Sequence, residues 1–344
     1  MSSSEKGGFR MRRVMAWLMT LVALALHAAG QTPAGGEQVV RLRTDLVRVD
    51  VLPVRKETGR PLAGMGREDF AVFEDGVAQT ITHFSQDQLP ASVLLLVDRA
   101  GCVNPFDDQI RAATIEALRR LKPEDEVAVM TFAKKVSLRQ PFTRDRAAIA
   151  AQINAVEPQH ESEQHYFNAA IYEAANYMSR AANPAGRRAI IVLTSLEASV
   201  DFSRTSADEA LQALLESGAV VSGVLVQSLG GRIEQGIRGK PTSILRHIGL
   251  RAGSLKMFVD ETGGELIGAP PGRIEATLTR LAANLCASYS LAYTPTNSTP
   301  GGGRRRIRVR LSPEAEQREG KAVVLARRSY IIPAGAGAGG GAGR

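Results

Sequence analysis

The sequence predicts an α/β fold in which a doubly wound, mostly parallel sheet is inserted in a small all-β sandwich formed by the N- and C-terminal segments. Two observations carry this prediction. Between residues 91 and 287, continuous apolar runs alternate with helical patterns, as in parallel sheets that are covered on both faces. On either side, at 38–88 and 288–333, apolar residues recur with a period of two, and each of these segments is too small to be stable alone.

Composition places the chain among ordinary globular proteins. Its 344 residues are 44% hydrophobic and 23% charged, and the length suits a large domain with a smaller one. The formal net charge is +8, and the basic first thirty residues contribute part of it. No aromatic and basic stripe accompanies this charge, so nucleic acid is not an expected partner.

Residues 1–30 have the organisation of a signal peptide. A basic segment at Met11–Arg13 precedes the apolar run Ala16–Ala28, and small residues before Gln31 suit cleavage near residue 30. The alternative is an uncleaved N-terminal anchor, although the run is short for a membrane span. The mature protein is therefore expected to be secreted, periplasmic or held in the cell envelope, without an integral membrane span. Either Met1 or Met11 is the true start.

The N-terminal β segment comprises residues 38–88. Alternating apolar residues around Val40 and at Leu46–Val51 indicate one or two strands, and Asp69–Val77 reads as strand, turn and strand. The dipeptide Asp75-Gly76 is a strong hairpin signal. Residues Ile81–Phe84 continue the second strand.

The central segment, 91–287, alternates strands and helices, which implies right-handed crossovers. The predicted strands are Val93–Val97, Glu126–Phe132, Val136–Arg139, Ala189–Leu193, Val220–Val226 and Gly263–Ile267. The predicted helices are Ile110–Leu121, Arg144–Val156, Phe167–Ala182, Ser206–Ser217 and Ile274–Leu285. Gly230–Lys256 is a predicted loop with a possible short helix at Ser243–Leu250.

The C-terminal β segment, 288–333, contains three predicted strands, at Tyr289–Tyr293, Arg304–Leu311 and Ala322–Ile332. Arginines alternate with apolar residues in Arg304–Leu311, which predicts a charged edge strand that prevents aggregation between sheets. The alternative is a surface that binds anionic glycans or lipid headgroups. The Gly/Ala-rich residues 334–344 are predicted to be a disordered tail.

Two apolar strands resemble a known family. Leu94–Asp98 and Ile190–Thr194 resemble the first and fourth strands of a von Willebrand factor type A domain. The flanking Arg67–Gly76 and Tyr289–Tyr293 are similar to the flanks of bacterial von Willebrand factor A-related proteins. The resemblance covers residues 40–333 and implies a binding module rather than an enzyme.

The resemblance also implies a metal-ion-dependent adhesion site, built in that family from an Asp-x-Ser-x-Ser loop, a threonine of a second loop and an aspartate after the fourth strand. Asp98 matches the first aspartate, but Ala100 and Cys102 stand at the serine positions. The second-loop position falls near Asn168, and Ser195 stands at the last aspartate position. An alanine offers no ligand atom and a thiol does not suit Mg²⁺, so the site is predicted to be degenerate and to bind without metal.

Two alternatives use the same residues. In the first, substitute oxygen ligands from Asn168, Ser195, Glu197 or Asp201 join Asp98 and hold Mg²⁺ or Mn²⁺. In the other, Cys102 meets His160 or His165 at one sheet edge, which would give a soft-metal site or a nucleophile and its base.

The two cysteines are predicted to lie apart. Cys102 follows a strand at the top of the sheet, whereas Cys286 ends a helix near the bottom, so no disulfide is expected between them. No recognised catalytic motif is present. The predicted function is an exported protein that binds an unknown protein partner through Asp98, Cys102, Asn168 and Ser195, with no cofactor.

Overall fold

The computed structural model describes residues 46–86, 89–100, 107–155, 164–183, 186–196, 198–201, 203–226, 252–296 and 303–332. The predicted signal peptide, the strand near Val40, the short helix at Ser243–Leu250 and the Gly/Ala tail lie outside these residues. None of the described helices combines the length and the hydrophobicity that a membrane span requires.

The described strands fall into four sheets. They are β1 (Val47–Arg55), β2 (Phe70–Glu74), β3 (Val77–Gln79), β4 (Ile81–Ser85), β5 (Ala91–Asp98), β6 (Glu126–Phe132), β7 (Val136–Thr143), β8 (Arg187–Thr194), β9 (Ala198–Val200), β10 (Val220–Val226), β11 (Ala252–Ser254), β12 (Leu266–Ala269), β13 (Tyr289–Tyr293), β14 (Gly303–Leu311), β15 (Ala322–Ala326) and β16 (Ser329–Ile332).

The described α-helices are α1 (Asp107–Arg119), α2 (Arg146–Ala155), α3 (Phe167–Tyr177), α4 (Ala207–Ser217), α5 (Leu255–Thr262), α6 (Ile274–Ala287) and α7 (Pro313–Glu319). Short 3₁₀ turns lie at Arg67–Asp69, Met178–Arg180 and Pro271–Arg273. Helices α5 and α7 were not predicted by the sequence pattern, and α3 ends at Tyr177 rather than at Ala182 because its last residues form one of the 3₁₀ turns.

The central sheet has the order β12-β10-β8-β5-β6-β7, and the predicted doubly wound, mostly parallel sheet is confirmed. All neighbouring strands are parallel except β7, which pairs antiparallel with β6. Residues Val93–Leu96 of β5 are almost wholly buried, because helices cover both faces of the sheet. Helices α3, α4 and α5 pack on one face, and α1, α2 and α6 pack on the other.

Helix α4 shows how local sequence sets an element that flanks the sheet. The Ser206 hydroxyl accepts a hydrogen bond from the Glu209 amide at 3.1 Å, and the Glu209 carboxylate accepts one from the Ser206 amide at 2.7 Å. This reciprocal cap satisfies two amides at the helix start. Gly218 ends the helix with a φ of 68°, a conformation that favours glycine.

The two terminal segments fold together, as predicted. Strand β1 pairs with β13 and β15, and β14 pairs with β2 and β16, so each four-stranded antiparallel sheet contains strands from both ends of the chain. Their inward residues form a separate core that includes Tyr289 and Tyr293, both fully buried. The segments complete each other because neither alone has enough strands to cover its apolar face.

Two predictions for the C-terminal segment were wrong. Ala322–Ile332 is not one strand, because the chain passes from one sheet to the other at Arg327 and Arg328, which separates β15 from β16. The arginine-rich strand β14 is not an edge strand, because it lies between β16 and β2 in its sheet.

The sandwich packs directly against the α/β part at Gly263. This residue ends α5 with a φ of 77°, and a Cβ placed there would lie 2.2 Å from the carbonyl carbon of Ala326 in β15. A side chain larger than hydrogen would therefore push the two parts of the molecule away from each other.

Candidate functional site

The candidate site lies at the edge of the central sheet where β5 and β8 end. The two strands are parallel neighbours, with Val97 opposite Leu193, so their last residues, Asp98 and Thr194, reach the same edge. Both residues are fully buried. The carboxyl edge of a parallel sheet is where ligands bind in open α/β folds.

The Asp98 carboxylate is surrounded by hydrogen-bond donors from the protein itself. Its Oδ1 accepts from the amide of Ala100 at 2.9 Å. Its Oδ2 accepts from the Thr194 hydroxyl at 2.5 Å and lies 2.6 Å from Nδ1 of His165. Because a carboxylate oxygen accepts, the proton of this last contact is placed on the His165 ring. Short contacts of this kind are typical of charge-assisted hydrogen bonds.

His165 is held in place by its neighbours. It precedes α3 and is only 4% exposed, and its ring stacks on that of Phe167 with 6.2 Å between centroids. Its carbonyl accepts a hydrogen bond from the Ser199 hydroxyl at 2.5 Å. The adjacent amide of Tyr166 donates to the carbonyl of Ala133 at 3.2 Å. These packing and hydrogen-bond contacts hold the imidazole in the orientation in which it reaches Asp98.

Asn168 belongs to a neighbouring set of contacts. Its amide donates to Oδ2 of Asp201 at 2.7 Å, and its side-chain nitrogen donates to the carbonyl of Thr205 at 3.4 Å. Oδ1 of Asp201 in turn accepts from the amide of Ser203 at 2.9 Å. The side-chain oxygen of Asn168 is buried without a hydrogen-bond partner among the described residues. Asp201 therefore fixes the start of α3 and the loop that leads to α4.

The structure brings some of the predicted site residues into contact with Asp98 and not others. It brings His165 to Asp98, whereas the described contacts of Asn168 go to Asp201 and Thr205. Ser195 is half-buried and directly follows Thr194. Cys102, His160 and Glu197 lie outside the described residues, so their predicted roles stay predictions. Within the described ranges, no group of three histidine, cysteine, aspartate or glutamate side chains is arranged to hold a metal ion.

The donor set around Asp98 does not match the needs of Mg²⁺. That ion prefers six oxygen ligands in octahedral geometry. Among the described neighbours of the Asp98 carboxylate, Thr194 offers a hydroxyl oxygen, whereas Ala100 offers only a backbone amide and His165 a protonated ring nitrogen. All three groups donate hydrogen atoms towards the carboxylate, and only one of them has an oxygen that suits a hard cation.

The sequence pattern predicts only a secondary role for His165 and aligns the second-loop position with Asn168. The pairing of His165 with Asp98 joins residues 67 positions apart, and only the order of the strands brings them together. The available signal was its position immediately before the apolar face of α3, where a side chain at the helix start points to the carboxyl edge of the sheet.

Cys286 lies at the other end of the molecule, at the end of α6. The residue is half-buried, and burial raises the pKa of its thiol above the ordinary value, which keeps it protonated at neutral pH. It is a free cysteine in the structure. The predicted absence of a bond to Cys102 stays a prediction, since Cys102 is outside the described residues.

Comparison with known proteins gives matches to families and to solved structures. Residues 93–197 match the family model of the von Willebrand factor type A domain. No curated protein sequence matches the chain.

Among solved structures, proximal thread matrix protein 1 from the mussel byssus is 12% identical, with a TM-score of 0.43, and the match covers 58% of this chain and 49% of that one. The chain thus spans about half the length of the mussel protein. A von Willebrand factor type A protein from Catenulispora acidiphila is 12% identical, with a TM-score of 0.44, over 83% of this chain and 72% of that one. The conserved hypothetical protein BatB from Bacteroides thetaiotaomicron is 16% identical, with a TM-score of 0.41, over 56% and 98%.

The family match spans β5, α1, β6, β7, α2, α3 and β8, which are the elements that build the edge carrying Asp98 and Thr194. Residues 93–197, which build this edge of the sheet, therefore match the von Willebrand factor type A domain family.

Proposed function

We propose that the protein is exported and binds another protein through the loops at the carboxyl edge of its central sheet, without the help of a bound cation. The loops are Asp98–Asp108, Gln159–Asn168 and Ser195–Thr205. One observation supports this most: the Asp98 carboxylate is fully buried and its oxygens accept from Ala100, Thr194 and His165.

His165 compensates the Asp98 charge from inside the protein. A buried carboxylate without a partner would cost several kcal/mol, and an imidazole N–H together with a hydroxyl offsets part of that cost. In a metal-dependent adhesion site, a cation would supply this compensation and would also offer an open position to the partner's carboxylate. With the histidine in place, recognition depends instead on the shape and polarity of the loops around Asn168 and Ser195.

Metal independence is tested by thermal unfolding of the mature protein in EDTA and then in millimolar Mg²⁺ or Mn²⁺. A ligand that binds only the folded state stabilises it by about 2.7 kcal/mol at a hundredfold excess over its dissociation constant, which raises the midpoint by several degrees. We expect no such rise. A rise that Asp98→Asn abolishes, and that the exposed Asp145→Asn leaves intact, would contradict the proposal and support a metal-dependent adhesion module.

The binding role itself is tested by capture of proteins from the cell envelope fraction in the presence of EDTA. Arg204 is exposed in the loop before α4, and Arg204→Glu is expected to reduce the recovery of a specific partner. Arg119 is exposed at the end of α1, which runs antiparallel to the strands and ends at the opposite edge of the sheet. Arg119→Glu is therefore the matched control, and equal losses for both variants would contradict the placement of the binding surface.

Export is tested by sequencing the N-terminus of the protein that leaves the cytoplasm. Cleavage near residue 30 supports the predicted signal peptide. A mature chain that still begins at Met1 or Met11 would support the alternative of an uncleaved anchor.

A second candidate function is a thiol enzyme, which the hydrogen bond between Asp98 and His165 favours. A buried aspartate that orients a histidine is the base half of many nucleophilic triads, and Cys102 is the nucleophile that the sequence offers. A low thiol pKa is the property to measure, as the rate of Cys102 alkylation at neutral pH. We expect the slow rate of an ordinary thiol, and a fast rate that His165→Gln removes would favour the enzyme.

A further inference from the structure

The outer face of β14 carries a row of exposed arginines. Arg304, Arg306, Arg308 and Arg310 alternate with inward-facing residues, so their side chains lie on one face at a spacing of roughly 6.8 Å. Arg304 is paired with Glu261. Within the described part of the chain, Arg306, Arg308 and Arg310 form no ion pair, although nearby Arg305 pairs with Asp75 at 2.8 Å. Protection of a sheet edge does not account for the whole row, because β16 covers the strand beside Arg304 and Arg306.

The same strand has an uncovered edge next to these arginines. β16 pairs only with residues 303–306 of β14, whereas β2 pairs with residues 307–311 on the other side. The amide of Ile307 donates to the carbonyl of Arg328 at 2.7 Å, and the amide of Ser312 donates to the carbonyl of Asp69 at 2.8 Å. In a strand, the backbone N–H and C=O groups of successive residues point to opposite sides. Those of the odd-numbered residues of β14 therefore point towards β16. The backbone of Val309 therefore points to a side where no described strand continues the sheet.

An open groove lies over the outer face of β14, between Phe73 of β2 and Val324 of β15, and reaches this edge. It has a volume of about 1440 Å³. Arg308, Arg310 and Arg328 line it together with the apolar residues Val309 and Val324. The acidic residues of the groove, Asp75 and Glu261, are already engaged by Arg305 and Arg304. The groove thus offers backbone groups, a row of positive charge and an apolar floor.

We propose that this groove binds an extended acidic peptide segment of a partner protein, which adds to β14 as a further strand. Addition of a strand uses the main-chain groups of a sheet edge for affinity and side chains at alternate positions for specificity. Acidic residues at every second position of such a segment have the same repeat of roughly 6.8 Å as the arginines. Their carboxylates would lie beside Arg308 and Arg310, and the residues between them would face Val309 and Val324.

A peptide is favoured over other polyanions because the uncovered edge consists of main-chain groups. An anionic glycan or a lipid headgroup would meet the arginines but could not complete the backbone hydrogen bonds of Val309. This surface is separate from the loops around Asp98, so the inference does not depend on the proposed function.

The test measures binding of short synthetic peptides to the full-length mature protein. The probe alternates glutamate and valine. A second peptide carries a central proline, which keeps the charge but removes a main-chain donor. We expect saturable binding of the first peptide and clearly weaker binding of the second. Equal binding of the two peptides, no saturable binding, or tighter binding of heparin or of anionic phospholipid vesicles would overturn the proposal.

A charge exchange makes the test independent of folding. Arg308→Glu with Arg310→Glu should weaken binding of the glutamate peptide by about tenfold or more, since like charges then face each other. The same double variant should bind a peptide that alternates lysine and valine, and the unmodified protein should not bind that peptide. Arg60 is exposed and forms no ion pair among the described residues, so Arg60→Glu is the matched control. A double variant that binds both peptides as the control does would overturn the proposal.

Discussion

The site around Asp98 and the groove along β14 are both charged, but they differ in whether other residues of the protein already engage the charged groups. Asp98 is fully buried, and donors from three other residues surround its carboxylate. Arg308 and Arg310 are exposed and form no ion pair within the described ranges. The Asp98 carboxylate is therefore shielded from solvent and hydrogen-bonded within the protein, whereas the arginine side chains of the groove are exposed to solvent. We call the first region closed and the second region open.

This difference separates charges that hold the fold from charges that can recognise a partner. A buried ion that is fully satisfied inside the protein is costly to disturb and adds little to an external contact. An exposed cation contributes little to stability and remains available for a ligand. Stability measurements should therefore distinguish the two regions before any partner is known.

The largest effect is expected from the closed region. Asp98→Ala leaves the Thr194 hydroxyl and the His165 ring without their shared acceptor. Removal of one partner of a buried pair costs about 3–5 kcal/mol, so the free energy of unfolding in urea should fall by that amount. Asp98→Asn keeps an acceptor oxygen and should lose less. A loss below about 1 kcal/mol for Asp98→Ala would mean that solvent reaches this carboxylate.

High pH should lower the stability of the fold through a second buried charged group, the Glu74 carboxylate in the sandwich. The buried Glu74 carboxylate accepts from the hydroxyls of Tyr293 at 2.7 Å and Tyr330 at 3.1 Å. Burial, together with the nearby Glu74, raises the pKa of both tyrosines above their ordinary value of 10.0. The unfolded chain then releases these protons first, so stability is complete below pH 10 and falls as the pH rises further.

Tyrosine absorbance followed during an alkaline titration checks this expectation. Tyr293 and Tyr330 should ionise only as the protein unfolds, so their absorbance change should coincide with the loss of folded structure. Ionisation of Tyr293 near pH 10 in the folded protein would contradict the closed arrangement around Glu74.

A smaller effect is expected from Tyr293→Phe. The substitution keeps the ring in the sandwich core but removes one of the two hydroxyls that donate to Glu74. Loss of a buried hydrogen bond to a charged group costs about 1–3 kcal/mol, which denaturant unfolding can measure. Tyr172→Phe is the matched control, and we expect it to be neutral. Equal stability of both variants would argue that water replaces the lost hydroxyl.

The smallest effect on stability is expected in the open region. Arg308→Gln and Arg310→Gln should change the free energy of unfolding by no more than about 0.5 kcal/mol, since neither side chain forms an ion pair within the described ranges. The same variants should weaken binding of the glutamate and valine peptide. If instead they destabilised the protein as much as Tyr293→Phe, the arginines would belong to the fold, and the contrast between the two regions would fail.

Much of the fold follows from the sequence because the dominant signals are local. The apolar run at Val93–Val97 and the cap at Ser206 each specify an element within a few residues. No comparable local pattern in the sequence marks the break between β15 and β16. Ala322–Ile332 is a continuous strand-like pattern, and the change of sheet at Arg327 depends on which strands the chain meets in three dimensions.

The site was only partly predictable for the same physical reason. Asp98 follows from its position at the end of a buried strand, but the partner of its carboxylate does not. His165 reaches it only because β5 and β8 are neighbours and α3 begins beside them. The position of β14 between two other strands is also a product of long-range pairing, which period-two alternation cannot reveal.

The central claim is that the His165 ring occupies the place beside Asp98 that a cation would take. The most direct measurement is proton NMR of the Nδ1–H of His165, assigned through its loss in His165→Gln, during addition of Mn²⁺. We predict a strongly low-field resonance that keeps its position and width when Mn²⁺ is added in excess over the protein. Selective broadening of this resonance by Mn²⁺ would contradict the claim and make the Asp98 site a cation site. The same conclusion would follow if the resonance were absent and the protein were stabilised by metal.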